Sequence, residues 1–330
     1  MQERYVESKV IIVMRRGLFV YLVAGLMILV MLGFTSQVQA YGGRPVGIGM
    51  AYTAISDDAS GVFFNPAGLA KIGAGDRFVS IMIKANDRDK ETLDSIAFSG
   101  QAVRNEQRVK YSIEEYLAQD FKPPIHEEKL YFNYALGGIF ATTDTLDDYY
   151  KSESVYFAAG RKILSEPKLS VGGKIIGSTH DTRDQHGSMS TLGLGLLYEF
   201  NNVVDIGMTV DDVFSDGPFV SPIILNLGVL LNVTEATRIA VDGYNLTSEK
   251  ESWRWRGKGG AEFRAGLEKT FLNDTFVARI GSMNGNLNLG FAAEVTPQFM
   301  IEYAFNYDNK SGVLAEPQDQ QHFMSARIKF

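Results

Sequence analysis

The sequence contains no cysteine. That excludes a disulfide framework, a thiolate metal site and a cysteine nucleophile. It also excludes a lipid anchor attached at a cleavage-site cysteine. Positive charge is not in excess either: the formal net charge is −7, so no basic footprint marks nucleic acid as a partner. Beyond residue 40 no apolar run approaches the ~20 residues a transmembrane helix needs. A chain of this kind is soluble, or it crosses a membrane as a closed barrel, since only helices and barrels satisfy their backbone in lipid. No nucleophile elbow is present, and the outer loops carry no convincing Ser/His/Asp or paired-Asp set. The expectation is a non-enzyme that needs no cofactor and no metal. What is abundant is glycine, with 33 residues, and Phe plus Tyr, with 21 and 15.

The first 40 residues read as an export signal. Arg15 and Arg16 precede an uncharged apolar run from Gly17 to Phe34, followed by Thr35-Ser36-Gln37-Val38-Gln39-Ala40. This predicts cleavage after Ala40. The run is longer than the usual ~7–15 residues, so an uncleaved anchor is the competing reading. Residues 1–13 are unusual for a leader, and Met14 is the start that gives a compact one. Residues 1–40 carry four basic and two acidic groups, which leaves the remainder at −9.

From about residue 77 the chain alternates apolar and polar residues. Leu192, Leu194, Leu196, Tyr198 and Phe200 alternate with Thr191, Gly193, Gly195 and Glu199; Phe299, Ile301, Tyr303, Phe305 and Tyr307 alternate with Glu302, Ala304, Asn306 and Asp308. Successive strand residues point to opposite faces, so each segment has one greasy face and one polar or glycine-bearing face. A soluble sandwich alternates too. Three features favour a membrane barrel. Many segments reach ten to twelve residues, the ~9–11 a membrane strand requires. Mid-strand charges at Glu262, Arg264, Glu268, Arg279, Glu294, Glu302 and Arg327 suit a wet lumen in which opposite signs pair. Aromatics gather at segment ends, as at Tyr198/Phe200 and Phe271/Phe276, where interfacial girdles form.

Connections alternate in length. Ser165–Lys168, Asn201–Asn202, Thr234–Ala236, Leu272–Asn273 and Thr296–Gln298 are short; Thr142–Ser152, Thr179–Gly187, Val213–Ser221, Thr247–Gly259 and Asp308–Gln318 are longer and polar. Short periplasmic turns and long external loops are the known asymmetry. Twelve strands fit between Lys129 and Phe330, and candidates near Arg77–Lys84 and Ser95–Val103 make fourteen. Both counts are even, and fourteen is preferred. Residues 104–128 between strands two and three carry Ile113, Tyr116, Leu117 and Phe121 at helical spacing before Pro123-Pro124. They predict a periplasmic helical connector that is simply packed, covers the floor or meets a partner. The alternation His322, Met324, Ala326, Ile328, Phe330 ends on an aromatic residue, like the C-terminal signal read by the outer-membrane insertion machinery.

Residues 41–76 do not alternate. Two short helical turns are expected, one capped by Ser56 or Asp57 and one by Asn65, with Pro66 at its first position. Gly47 and Gly49 permit close backbone approach. The stretch Asp57-Asp58-Ala59-Ser60 before Phe63-Phe64, then Asn65-Pro66-Ala67, resembles the hatch of the FadL-like long-chain fatty acid transporter superfamily, whose relatives include the PorV/PorQ-type outer-membrane proteins. The motif block covers about 30 residues; the rest is similar only as a barrel of like size. The resemblance implies an all-β transmembrane antiparallel barrel of about fourteen strands, over 77–330, with residues 41–76 as a hatch shaped by Asp57, Asp58, Asn65, Pro66 and Ala67. It implies passage of a small hydrophobic, fatty-acid-like compound across the bacterial outer membrane. The PorV-like relatives imply the alternative, a barrel serving protein secretion, conjugal transfer or surface assembly with a protein partner.

Two other constellations are present. His180-Asp181-Thr182-Arg183-Asp184-Gln185-His186 is read as solvated loop rather than metal site. Trp253-Arg254-Trp255-Arg256 holds both tryptophans and local positive charge. It suits interfacial anchoring or contact with lipopolysaccharide phosphates.

Overall fold

The structure is a computed structural model that describes residues 42–73, 76–85, 91–109, 125–144, 149–165, 168–182, 186–216, 222–247, 261–273, 275–283, 285–307 and 320–330. The expected cleavage site, the 111–121 helix, the Trp253–Arg256 loop and Asp308–Gln318 lie outside the described residues.

Fourteen strands form one closed antiparallel barrel. They are β1 (Phe78–Ala85), β2 (Glu91–Val109), β3 (Ile125–Asp144), β4 (Tyr149–Ser165), β5 (Lys168–Thr182), β6 (His186–Glu199), β7 (Val204–Asp216), β8 (Ile224–Thr234), β9 (Thr237–Tyr244), β10 (Glu262–Phe271), β11 (Phe276–Met283), β12 (Asn286–Thr296), β13 (Phe299–Tyr307) and β14 (Gln320–Lys329). Each pairs with its sequence neighbours, and β1 closes the ring on β14 from Phe78↔Lys329 to Ala85↔His322. Closure removes the open sheet edges that would otherwise seek partners.

The two faces are as the alternation predicts. Outward side chains such as Leu194, Ile206, Met208, Leu227, Phe263, Ile280 and Leu287 are exposed, whereas inward Asp205, Thr209, Asn226, Glu268, Arg279, Asn288, Glu302 and Asn306 are buried. Polar inside and greasy outside is the arrangement lipid demands of a barrel wall. Among the described residues no helix is long and apolar enough to cross a membrane.

The rim where β1 begins and β14 ends, here the terminal rim, carries the five short turns read from the sequence. Two connections expected to be long at the far rim are mostly strand instead. β3 and β4 pair up to Asp144↔Tyr149, and β5 and β6 up to Asp181↔His186. Their Thr, Ser and Tyr residues favour strand geometry, and a ladder in water continues without a greasy face. His180 is consequently a buried inward residue of β5 rather than a loop residue. Among the described residues no cluster fit to hold a metal occurs.

The connector read over 104–128 also needs correction at both ends. β2 and β3 pair down to Val109↔Ile125, so 104–109 and 125–128 are strand. Hairpin register between two long strands outcompetes helix initiation there. β2 meets β1 only as far as Ser99, and β3 meets β4 only as far as Asn133. The rungs from Ala102↔Phe132 to Val109↔Ile125 therefore form a two-stranded ribbon running past the terminal rim.

Candidate functional site

Residues 42–72 lie inside the wall. They comprise α1 (Gly43–Gly47) and two 3₁₀ turns, Ala59–Val62 and Pro66–Lys71. The first turn is capped by Asp58, whose carboxylate accepts from Ser60 N at 2.9 Å. That is one residue beyond the expected cap, because Asp57 is engaged by arginines and Ser56 Oγ donates to Tyr52 O at 2.8 Å. The second cap is as read: Asn65 Oδ1 accepts from Ala67 N at 3.0 Å, with Pro66 at the first position.

The wall makes room for this segment with small inward residues. Gly160, Gly172 and Gly195 stand in register across β4, β5 and β6, and a Cβ on any of them would collide with Asn65 or Pro66. Gly207 and Gly228 face Thr53 and Ala54; Gly266 and Gly281 face Ile48 and Gly49; Gly290 faces Gly47. Ala97, Ala135, Ala240 and Ala304, all buried, continue the girdle on β2, β3, β9 and β13. Main chain thus lies against main chain around much of the circumference, which only residues lacking or nearly lacking a side chain permit.

Arg44 is the hub of the polar core. Its guanidinium donates to Glu268 through Nε at 2.8 Å and Nη2 at 3.0 Å, and through Nη1 to Asp57 at 2.6 Å, Asp58 at 3.3 Å and Tyr52 Oη at 3.2 Å. Arg279 reaches the same Glu268 carboxylate at 2.8 Å and Glu302 at 3.3 Å. Arg238 takes the second oxygen of Asp57 at 3.0 Å, and Arg327 reaches Asp58 at 3.4 Å. Ser325 Oγ donates to Glu302 at 3.1 Å and accepts from Gly43 N at 3.0 Å. Four guanidiniums, of Arg44, Arg238, Arg279 and Arg327, thus face four carboxylates, of Asp57, Asp58, Glu268 and Glu302. Buried charge is tolerable only when paired and hydrogen-bonded in this way. Burial alone would raise the Asp57 carboxyl, but Arg44, Arg238 and Lys71 hold it well below the usual carboxylate range. Burial, with Asp58 and Asp57 beside it, pushes the Tyr52 phenol well above its ordinary value, so it stays protonated and donates to Asp58 at 2.8 Å.

Other wall residues hold the main chain of the segment. Asn65 Nδ2 donates to Thr53 O at 2.8 Å and to Leu196 O of β6 at 3.1 Å. Asp242 accepts from Thr53 N at 2.8 Å, and Asn133 donates to Leu69 O at 2.6 Å and Ile72 O at 3.1 Å. Lys174 donates to Phe63 O at 3.0 Å and Phe64 O at 2.9 Å, and pairs with Asp211 at 2.9 Å. Lys71 pairs with Asp205 at 2.9 Å.

Of the lumen charges read from the sequence, Glu268, Arg279, Glu302 and Arg327 come together in this core. Arg264 forms a separate pair with Glu262 at 2.7 Å, its guanidinium 3.7 Å from the Tyr244 ring centre. Glu294 is half-buried and makes no ion pair among the described residues. Asp57, Asp58, Asn65, Pro66 and Ala67 sit at the contacts just described. The reading missed Arg44, Arg238, Lys174 and Asn133. Strand parity was the available signal for Arg238, Lys174 and Asn133, whereas Arg44 lies on no strand. Phe330 is exposed beyond β14, its N–H donating to Arg77 O at 3.0 Å.

The sequence matches no family model and no curated protein. Among solved structures, the chain is similar to the monoaromatic hydrocarbon channel CymD, at 13% identity over 87% of this chain and 96% of that one, with a TM-score of 0.56. It is similar to the toluene transporter TbuX of Ralstonia pickettii, at 13% identity over 87% and 97%, with a TM-score of 0.51. At such identity the likeness is one of fold. That fold is a closed antiparallel β-barrel.

Proposed function

We propose that the protein is an outer-membrane barrel through which small hydrophobic compounds pass, and that residues 42–72 act as its hatch. The observation that carries this reading is a lumen occupied by a segment the wall is shaped to receive and charged to retain. The greasy outer face and the likeness to a hydrocarbon channel and a toluene transporter support the cargo class. An apolar solute gains by leaving water for lipid or protein, so a wall that brings it past the polar outer leaflet needs no energy source. The test is initial uptake of radiolabelled toluene by outer-membrane-bearing cells with and without the protein. Equal uptake at verified surface expression would remove the proposal.

A second reading, a barrel in secretion or surface assembly, is favoured by the β2–β3 ribbon. Along its rungs from Ala102↔Phe132 to Val109↔Ile125 neither outer edge is paired among the described residues, and an unpaired strand edge suits pairing with another chain. Site-specific crosslinking from 102–109 in cells would capture a protein partner on this reading and none on the first.

A further inference from the structure

The contacts of residues 42–72 are divided by polarity. Toward β10 and β14 the segment is held by the ion pairs of Arg44 with Glu268 and of Asp58 with Arg327. Toward β3–β5 its first 3₁₀ turn presents Val62, and Phe63 follows; both join Ile139, Tyr156, Ala158 and Ile176 in one apolar cluster. The Phe63 ring meets Tyr156 edge-on, 5.1 Å between centroids at 86°. It lies over Gly137 of β3, where a Cβ would stand 2.6 Å from the Phe63 ring and 2.8 Å from Val62 Cγ1. The glycine is what gives the ring its seat.

We propose that Phe63 is the gate residue of the lumen, and that the seat its ring occupies, over Gly137 and against Tyr156, receives a single-ring apolar solute in transit. This rests on the passage reading above. On the ionic side an apolar solute has nothing to exchange: parting Arg44 from Glu268 breaks a buried bidentate ion pair, which no hydrocarbon replaces. On the Phe63 side one apolar contact replaces another of the same kind. A benzene-sized solute fills the space the ring vacates and reproduces its edge-to-face contact with Tyr156. The main chain need not move. Lys174 holds both Phe63 O and Phe64 O, so the moving part is the ring, turning about its side-chain torsions.

The test uses the full-length protein in two readouts: initial toluene uptake by cells, and thermal unfolding of the purified barrel with and without toluene. Phe63→Ala is expected to take up toluene roughly tenfold faster than wild type, the aromatic contact having gone from the closed state. Toluene is expected to raise the unfolding temperature of Phe63→Ala and not of wild type, whose own ring fills the seat. Phe63→Trp is expected to slow uptake, and Phe63→Leu serves should the alanine variant fail to fold. Uptake by wild type that is unchanged across these variants overturns the gate and leaves the passage reading intact. Absence of uptake by every form overturns the passage reading, and unfolding of Phe63→Ala then decides the seat: stabilisation by toluene upholds it, no effect overturns it.

Discussion

Replacing Arg44 by Met removes the hub of the lumen core while keeping its packing volume. Five hydrogen bonds are lost, two of them the bidentate pair to Glu268. No carboxylate is left without a cation: Glu268 keeps Arg279, Asp57 keeps Arg238, and Asp58 keeps Arg327. Breaking a buried pair by deleting one partner costs ~3–5 kcal/mol, and these remaining partners place the cost near ~3 kcal/mol. The loss falls on the docking of residues 42–72 rather than on the wall, whose ladders do not involve Arg44. A change of ~3 kcal/mol moves the docked-to-released ratio by roughly 150-fold. In planar bilayers Arg44→Met is therefore expected to show frequent large openings that wild type lacks, and limited proteolysis should cut within 42–72. Gel migration of the unheated barrel should be unchanged. Arg44→Lys should resemble Met more than wild type, because an ammonium cannot reproduce the planar fork. Wild-type conductance together with full protease protection in Arg44→Met would refute the argument that this core latches the segment.

Three further outcomes follow from the same contacts. Asp57 has a folded pKa depressed below its unfolded value of ~3.9, so its contribution is complete above that value and fades as pH falls through the folded one; bilayer conductance should stay closed from neutral pH to about 5 and rise only in stronger acid, and opening between pH 7 and 5 would contradict it. Gly281→Val sets a side chain on the backbone of Ile48 and Gly49, whereas Gly177→Val meets nothing within 4 Å; the first should expose 42–72 to protease, at an overpacking cost of ~1–3 kcal/mol, and the second should not. Asn65→Asp keeps the acceptor for Ala67 N but loses both donations to Thr53 O and Leu196 O; hydrogen exchange at 53–67 should rise in Asp and further in Ala, since Ala also loses a cap worth ~1 kcal/mol.

Strand parity carried most of the wall. The alternation in 191–200 and 299–307 assigned inward and outward faces that the structure reproduces, because a one-residue slip would put every greasy side chain into the lumen. Lengths were less legible. Greasy alternation stops where lipid would stop, yet hydrogen-bonded pairing runs on, so β3 to β6 extend beyond their apolar bands. The core was half legible: Glu268, Arg279, Glu302 and Arg327 show their side by parity. Arg44 shows nothing of the kind, and its pairing with a residue 224 positions away exists only once the ring has closed. The girdle of small residues was hidden for the same reason. Gly195 is one glycine on a polar face until register sets it beside Gly172 and Gly160. Asp57 and Asp58 are equivalent as caps by local propensity, and arginines distant in sequence decide between them.

The charge ledger of the core also says what a vacated lumen would look like. Taken out, residues 42–72 carry off Arg44, Asp57 and Asp58 from the core and Lys71 from its pair with Asp205; Arg238, Arg279 and Arg327 then face only Glu268 and Glu302, a local surplus of one positive charge, and Asp205 is left as a separate negative one. Strap and wall then attract one another across the gap they have opened. Recapture is built into the arrangement as an electrostatic spring, softened by salt.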